Sequence, residues 1–590
     1  MKKETLLLLL MLITSMLRAE TIEIDHIRYN INEDNSTVSV GYNGYEEIKG
    51  NIVIPAEIKI NKKSYRVVGI EEYAFEHCWA IASVVIGDNV TNIGNWAFSC
   101  CSGMKNLKIG NGVTNIGSNA FEGCYSLEAL EIPDNVMNID YRAFSGCYGL
   151  NSVSLGNGVK TMGEDTFSHC TALSSVVLGD GLSAIVSGTF YGCSSLKSIT
   201  IPKSIKIIDR NAFFSCESLK SIVFPKDLEI IGYSAFKGCV NLESIDIPNS
   251  VTEIHYQAFY GCSGLKSISF GDHVASLGER AFQYCTSLTS VTIPSSVNKM
   301  GQNLFEGCTS LVSAVLSNSM TETGIGIFSG CTSLTSVTIP SSINLITVST
   351  FSGCTALKNY TVPNSIVSIG EYAFFGCESL ESIVLSSELK YISDYAFKGC
   401  NSLRRVFCLT KTPPKCYSAK AFYGVDLSNL TLEVPAGSKA AYLGKNVWRN
   451  FGNIVEATDK DIKNDDTLND NDGMIIGDVN GDGKVDVADI VEIINFSMGK
   501  QSANFNKDRA DANHDGLINM DDVEEIAKHN ILLQKGPKHT LLIHFTNGMT
   551  ESIKLNTFPR VSIEGNVMTI RTNEGDKNYS RDNVVKFTYQ

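Results

Sequence analysis

The sequence predicts a parallel β solenoid of 23-residue repeats, followed by a small α-helical module built on two acidic loops and a small β-rich C-terminal module. Three observations carry the solenoid. Cysteines recur at Cys78, Cys101, Cys124, Cys147, Cys170, Cys193, Cys216, Cys239, Cys262, Cys285, Cys308, Cys331, Cys354, Cys377 and Cys400 with a constant step of 23. A phenylalanine stands three positions before each of these 15 cysteines, from Phe75 to Phe397. A strand-like phrase of alternating apolar residues follows each one. Self-similarity at such a period means one supersecondary unit per repeat, stacked on its neighbours. Because no repeat gains or loses a residue, the units form one elongated domain, not the several that 590 residues would otherwise suggest.

Lys2 and Lys3, the apolar run Leu6–Leu17 and the small residue Ala19 read as a secretory signal peptide over residues 1–19, so the expected location is secreted or cell surface. An uncleaved anchor helix is the competing reading, disfavoured by the shortness of the run. No cysteine precedes Cys78 to carry a lipid, and no later apolar stretch is long enough for a transmembrane segment. The net charge of −14, with no basic cluster to offset it, argues against nucleic acid or an anionic membrane as the main partner.

Residues 20–66 are not in register and are expected to cap the N-terminal edge, with strands around Val38–Val40 and Ile52–Ile54. Residues 67–455 hold the repeats and a C-terminal cap. Within the unit Cys124–Cys147, Leu127, Leu130 and Ile132 form the inward side of a strand that Pro133 stops. Val136 and Ile139 continue the inward series toward Ala143-Phe144. The strand ends at Pro in seven repeats and at Gly in five, and Gly precedes the cysteine in ten, where it turns a second corner.

The consensus Ser-Leu-x-Ser-Ile-x-Ile-Pro-x-Ser-x-x-x-Ile-Gly-x-x-Ala-Phe-x-Gly-Cys resembles the leucine-rich repeats of BspA-like surface proteins. That resemblance implies a curved leucine-rich repeat solenoid and a role in adhesion to host proteins or other cells.

An inward cysteine in every turn behaves as a small buried hydrophobe, and a regular stack does not offer neighbours the geometry of a disulfide. Most of the column is therefore expected to be reduced. Cys408 and Cys416, outside it, are the expected local pair. Residues five and seven after each cysteine alternate with inward Leu and Ile and should face out. The first of these columns is serine in 11 repeats and the second mostly Val, Thr or Ser, giving a nearly uncharged surface. Serine could be mere filler on a crowded ladder. Alternatively, the face binds a protein or glycan ligand through many weak contacts, as solenoid faces do.

After Cys400 the register breaks at Thr412-Pro413-Pro414, and Trp448 and Phe451 are expected to close the last turn. Residues 456–473 form an acidic linker. Residues 474–535 carry the only sharp chemistry. Asp478, Asn480, Asp482, Lys484, Asp486 and Asp489 occupy positions 1, 3, 5, 7, 9 and 12 of an EF-hand-type loop, with Gly483 at position 6. Asp511, Asn513, Asp515, Leu517, Asn519 and Asp522 repeat the pattern around Gly516, 33 residues later. Side-chain oxygens, with the position-7 carbonyls of Lys484 and Leu517, suit a hard Ca2+ ion that takes six to eight oxygens. Such loop-plus-exiting-helix pairs resemble type I dockerins. The resemblance implies two calcium sites and a cohesin-like partner, although Val487-Ala488 and Met520-Asp521 stand where dockerins usually carry a Ser-Thr recognition pair.

Residues 536–590 read as short strands at Thr540–Phe545, Glu551–Leu555, Val561–Ile563, Met568–Arg571 and Val584–Tyr589 between Gly-containing turns. The ending Asn583–Tyr589 resembles C-terminal modules of secreted Bacteroidales proteins. Nine scattered histidines and the lack of a serine elbow with partners argue against an enzyme. A binding and adhesion protein is the favoured reading; a dockerin-borne polysaccharide-degrading component and a purely structural spacer are the alternatives.

Overall fold

A computed structural model describes residues 21–34, 36–44 and 48–457, positions 493 and 510, and six C-terminal strands between 539 and 589. The chain divides into two compact units, 1–459 and 460–590. The signal peptide, residues 458–473 of the acidic linker and both acidic loops lie outside the described residues; Glu456 and Ala457, expected to open the linker, instead end the strand Asn453–Ala457.

In the first unit, Thr21–Ile24 and Ile27–Ile31 form an antiparallel hairpin that continues to Thr37–Val40. Thr37–Val40 then pairs parallel with Lys63–Ile70, and Gly50–Ile54 pairs parallel with Ile81–Ile86, so the N-terminal segment joins both sheets of the stack directly. The edge that would otherwise be open is covered by chain.

Most full turns contribute two short strands, one to each of two parallel faces, with the ladders interrupted at intervals; the turn Cys308–Cys331 contributes only Ser313–Val315. The first lies where the alternating phrase places it: Ala129–Ile132 pairs with Ser152–Leu155, equivalent residue on equivalent residue. The second, two residues long as in Asn138–Ile139, pairs with Thr161–Met162 and is not foreshadowed by any alternation in the sequence. Between the sheets runs the core. Every column phenylalanine is fully buried, and from Phe75 to Phe422 the rings stack with centroids 4.8 to 6.1 Å apart. Each stacked pair adds about 0.5–1.5 kcal/mol beyond the area it buries. Removing one ring breaks two such contacts.

The cysteines do more than fill space. All are free thiols, and the 15 in the column are buried. From Cys101 onward, each Sγ donates to the carbonyl of the phenylalanine 26 residues earlier, at 3.1 to 3.4 Å. The thiol thus ties one turn to the previous one. Cys408 and Cys416 are also free, contrary to the expected pairing. They sit on strands of different sheets, Arg405–Cys408 and Lys415–Cys416, and the buried Cys408 Sγ lies 3.5 Å from Thr410 Oγ1 instead.

Two left-handed residues bend each turn. One is the Gly slot before the cysteine, which His77 and His169 enter at φ of 58° and 60°. The other lies five residues before the cysteine and is glycine only at Gly188 and Gly326; Tyr73, Trp96, Arg142, Asp165 and Ser349 adopt φ of 50° to 59° there. L-residues resist this region, so something must hold them in it. It is the ladder: Trp96 N donates to Ser118 O at 2.9 Å and Asn119 N to Tyr141 O at 2.8 Å.

The stack closes on Trp448, nearly fully buried, which meets Phe422 edge-on at 6.2 Å and donates its Nε1–H to Pro414 O at 2.8 Å. Tyr442 is buried beside it and donates to Thr410 O at 2.7 Å. In the second unit, His539–Phe545 pairs antiparallel with Thr550–Leu555 and Val584–Tyr589. Val567–Thr572 pairs antiparallel with Arg560–Glu564 and with Gly575–Ser580. Gly575–Ser580 is polar and lacks the β-branched composition of a strand, which is why the sequence does not announce it.

Candidate ligand-binding face and acidic loops

Parallel pairing in constant register carries each residue five positions after a cysteine onto its counterpart one turn on. Nine successive turns place serine there: Ser152, Ser175, Ser198, Ser221, Ser244, Ser267, Ser290, Ser313 and Ser336. The register is direct, with Ser198 on Ser221, Ser244 on Ser267, and Ser290 on Ser313 on Ser336. These nine side chains are exposed or half-buried, and among the described residues none of their hydroxyls has a hydrogen-bond partner. At one strand spacing, roughly 4.8 Å, within each paired set they form a row of solvent-facing donors and acceptors.

The parallel column two residues on contains Ser154, Val177, Thr200, Val223, Asp246, Ser269, Thr292, Val315, Thr338 and Thr361, with Val223 78% exposed. Asp246 is the single charge in that stretch. Charge sits on the border instead, where Lys266 Nζ pairs with Glu243 at 3.2 Å. A weakly polar strip with a charged rim is the arrangement of binding faces.

The outward expectation fails at the last turns. Ser382, Val384 and Phe407 are buried. Arg405 lies over the Phe407 ring, 4.8 Å from its centroid, and reaches Glu433 at 2.7 Å, so long side chains cross the strands where short ones leave them open upstream. Tyr360, from an inward position, is buried as well.

The acidic loops at 478–489 and 511–522 lie outside the described residues. Beside them, Ile493 and Ala510 are helical and buried. The donor set itself fits calcium: seven carboxylates, three carboxamides and two main-chain carbonyls supply only oxygen. Among the described residues no group of three His, Cys, Asp or Glu could hold a metal, and no helix is long and apolar enough to cross a membrane.

Comparison with known proteins agrees with this division. A family model described as the BspA type leucine rich repeat region matches residues 68–194, 138–266, 183–312, 229–355 and 321–455, and one described as the dockerin type I domain matches 476–529. A leucine-rich repeat protein from Bacteroides ovatus superposes with a TM-score of 0.57 at 28% identity, covering 70% of this chain and 99% of its own. A leucine rich cell surface protein from Faecalibacterium prausnitzii is 26% identical over 66% of this chain and 94% of its own, with a TM-score of 0.36. None of the curated proteins matches.

Proposed function

Since the chain belongs to the BspA-type leucine-rich repeat family, we propose that it is a secreted or cell-surface binding protein whose serine-rich strand face holds a protein or glycan ligand. The row of nine solvent-facing serine hydroxyls on a nearly uncharged face carries this reading. A structural spacer has no need of so long an aligned row of short hydroxyl side chains with so little charge. An extended ligand with repeating hydrogen-bonding groups meets them at successive turns, each contact weak and the sum specific.

The dockerin type I match supports a second part: the module over 474–535 attaches or assembles the protein in a calcium-dependent way. Asp478, Asn480, Asp482, Asp486 and Asp489, with the Lys484 carbonyl, hold one ion. Asp511, Asn513, Asp515, Asn519 and Asp522, with the Leu517 carbonyl, hold the other. Bound calcium supplies the positive charge that lets these carboxylates lie close together. A cohesin-like domain is the partner class such a module takes.

The binding face is tested by replacing Ser244, Ser267 and Ser290 together with Lys in the full chain. Binding to immobilised extracellular-matrix glycoproteins is then compared by surface plasmon resonance. The expected result is saturable wild-type binding with little dependence on ionic strength, because the face carries almost no charge, and its loss in the triple variant. Unchanged affinity in a folded variant would move the site off this face.

A further inference from the structure

Aromatic side chains gather on the turn side of the solenoid, in the residues around each cysteine. In mid-stack they satisfy one another: Tyr191 stacks on Phe214 at 4.6 Å, and Lys237 Nζ lies 5.8 Å from the Phe214 centroid and 4.6 Å from that of Tyr260. Lys398 does the same among Phe375, Tyr395 and Tyr423. The column one residue after the cysteine differs near the N-terminal end. Trp79, Ser102, Tyr125 and Tyr148 occupy it in successive turns, and Tyr125 and Tyr148 stack at 5.1 Å. Ser102 leaves out one ring. Trp79 and Tyr125 therefore stand two repeats apart, roughly 10 Å at two strand spacings. Trp79 is 62% exposed and, among the described residues, has neither a ring partner nor an acceptor for its indole N–H.

We infer that the gap between Trp79 and Tyr125 binds a pyranose ring of a neutral glycan. A pyranose presents an apolar face of C–H groups and a rim of hydroxyls, and the column offers complements to both. Trp79 and Tyr125 supply aromatic surface on a rigid stack, and Ser102 supplies a hydroxyl between them. Glu76 and Glu122, half-buried on the adjoining corner, supply carboxylate acceptors; His77 Nε2 stands 3.9 Å from Glu76, and Asn119 Nδ2 holds Glu122 at 2.5 Å. Those carboxylates and the net charge of −14 repel an anionic polymer. A column one side chain wide, bordered by Ala80 and Gly103, offers far less than the roughly 800 Å² per partner that a stable protein interface buries. The slot lies away from the serine row, so neither site requires the other.

Tryptophan emission reads this site in the intact protein, because Trp448 is buried and Trp96 is half-buried against Tyr73. The full chain is titrated with cellohexaose, laminarihexaose and xylohexaose, with calorimetry alongside. A saturable blue shift with at least one of them is expected. Tyr125→Ala, and Ser102→Tyr, which fills the gap with the missing ring, should each lose roughly tenfold in affinity or more at unchanged melting temperature. The triple serine-to-lysine variant of the strand face should bind these sugars as the wild type does. Trp79→Ala, followed by calorimetry, gives the same reading should Ser102→Tyr prove unstable. If no neutral hexasaccharide binds, if heparin alone binds, or if the folded variants keep full affinity, the slot is not a sugar site.

Discussion

Ser349 shows what the turns impose on a single residue. It sits five positions before Cys354 with φ of 56°, and its N–H donates to Glu371 O at 2.9 Å across the stack. The left-handed region costs an L-residue roughly 1–2 kcal/mol, and the inter-turn bond offsets that. Ser349→Gly removes the strain but loosens the unfolded chain, so stability should rise by no more than about 1 kcal/mol. Ser349→Val, β-branched at the same φ, should lose about 1–2 kcal/mol. Urea midpoints of the two variants check the order; a valine variant as stable as the glycine one would mean the backbone is not strained. This position is invisible in the sequence because Tyr, Trp, Asn, Arg, Asp and Ser all fill it. The closure of the turn demands the conformation, not any side chain. The slot before each cysteine was legible only because glycine, which takes positive φ without penalty, usually fills it.

Within the elements, stacking in register makes each turn depend on its neighbours and the last turn on its cap. Trp448 covers the open face of Phe422, the final ring of the pile. Trp448→Ala removes that cover and leaves Pro414 O without its indole donor, so it should cost about 3–5 kcal/mol. The loss should be felt locally: limited proteolysis should begin near Lys415–Lys439 and spare the central turns. Uniform cleavage along the stack would show that the cap is not a separate weak point. The capping role was readable from the bulky residues after the register break. The first sheet was readable as well, because Leu-x-x-Leu-x-Leu alternates over enough residues. The second sheet was not, since strands of two residues such as Asn138–Ile139 carry no period. The open serine face was readable from short side chains alone. Its closure at Ser382 was not, because it depends on Arg405 and Glu433, which come from later strands. The expected pairing of Cys408 with Cys416 fails for a similar reason: nearness in sequence does not tell which sheet a strand joins.

For the whole molecule, the calcium module and the solenoid should respond to different reagents. Chelation should leave the melting of residues 20–455 unchanged, since no group among their described residues could hold a metal, while a separate transition of the second unit disappears. Asp478→Ala should weaken that transition more than Asp511→Ala, because the first loop has four carboxylates and the second three. A single melt unaffected by chelator would overturn the coupling. The solenoid has its own sensitivity, to alkali. Burial pushes the column thiols up, to about 12 at Cys147, Cys262, Cys331 and Cys400 and well above the ordinary range at Cys124, Cys216 and Cys354. In the unfolded chain the same thiols titrate near their ordinary value of about 8.5. Between the two values the unfolded state has lost protons that the folded state keeps, so stability is complete below the unfolded value and falls as pH rises through this window. Each thiol contributes a loss of about 1.4 kcal/mol per pH unit there, and 15 of them lie in one cooperative stack. The solenoid should therefore unfold steeply within a unit or two above pH 9, a range in which exposed tyrosines and lysines also titrate but without comparable differences between the folded and unfolded chain. Far-ultraviolet circular dichroism and thiolate absorbance near 240 nm, corrected for the 22 tyrosines by their phenolate band near 295 nm and followed together from pH 7 to 12, check this. Coincident transitions are expected; thiolate appearing while the β signal persists would mean that the column ionises in the folded state and that burial is not what holds its protons.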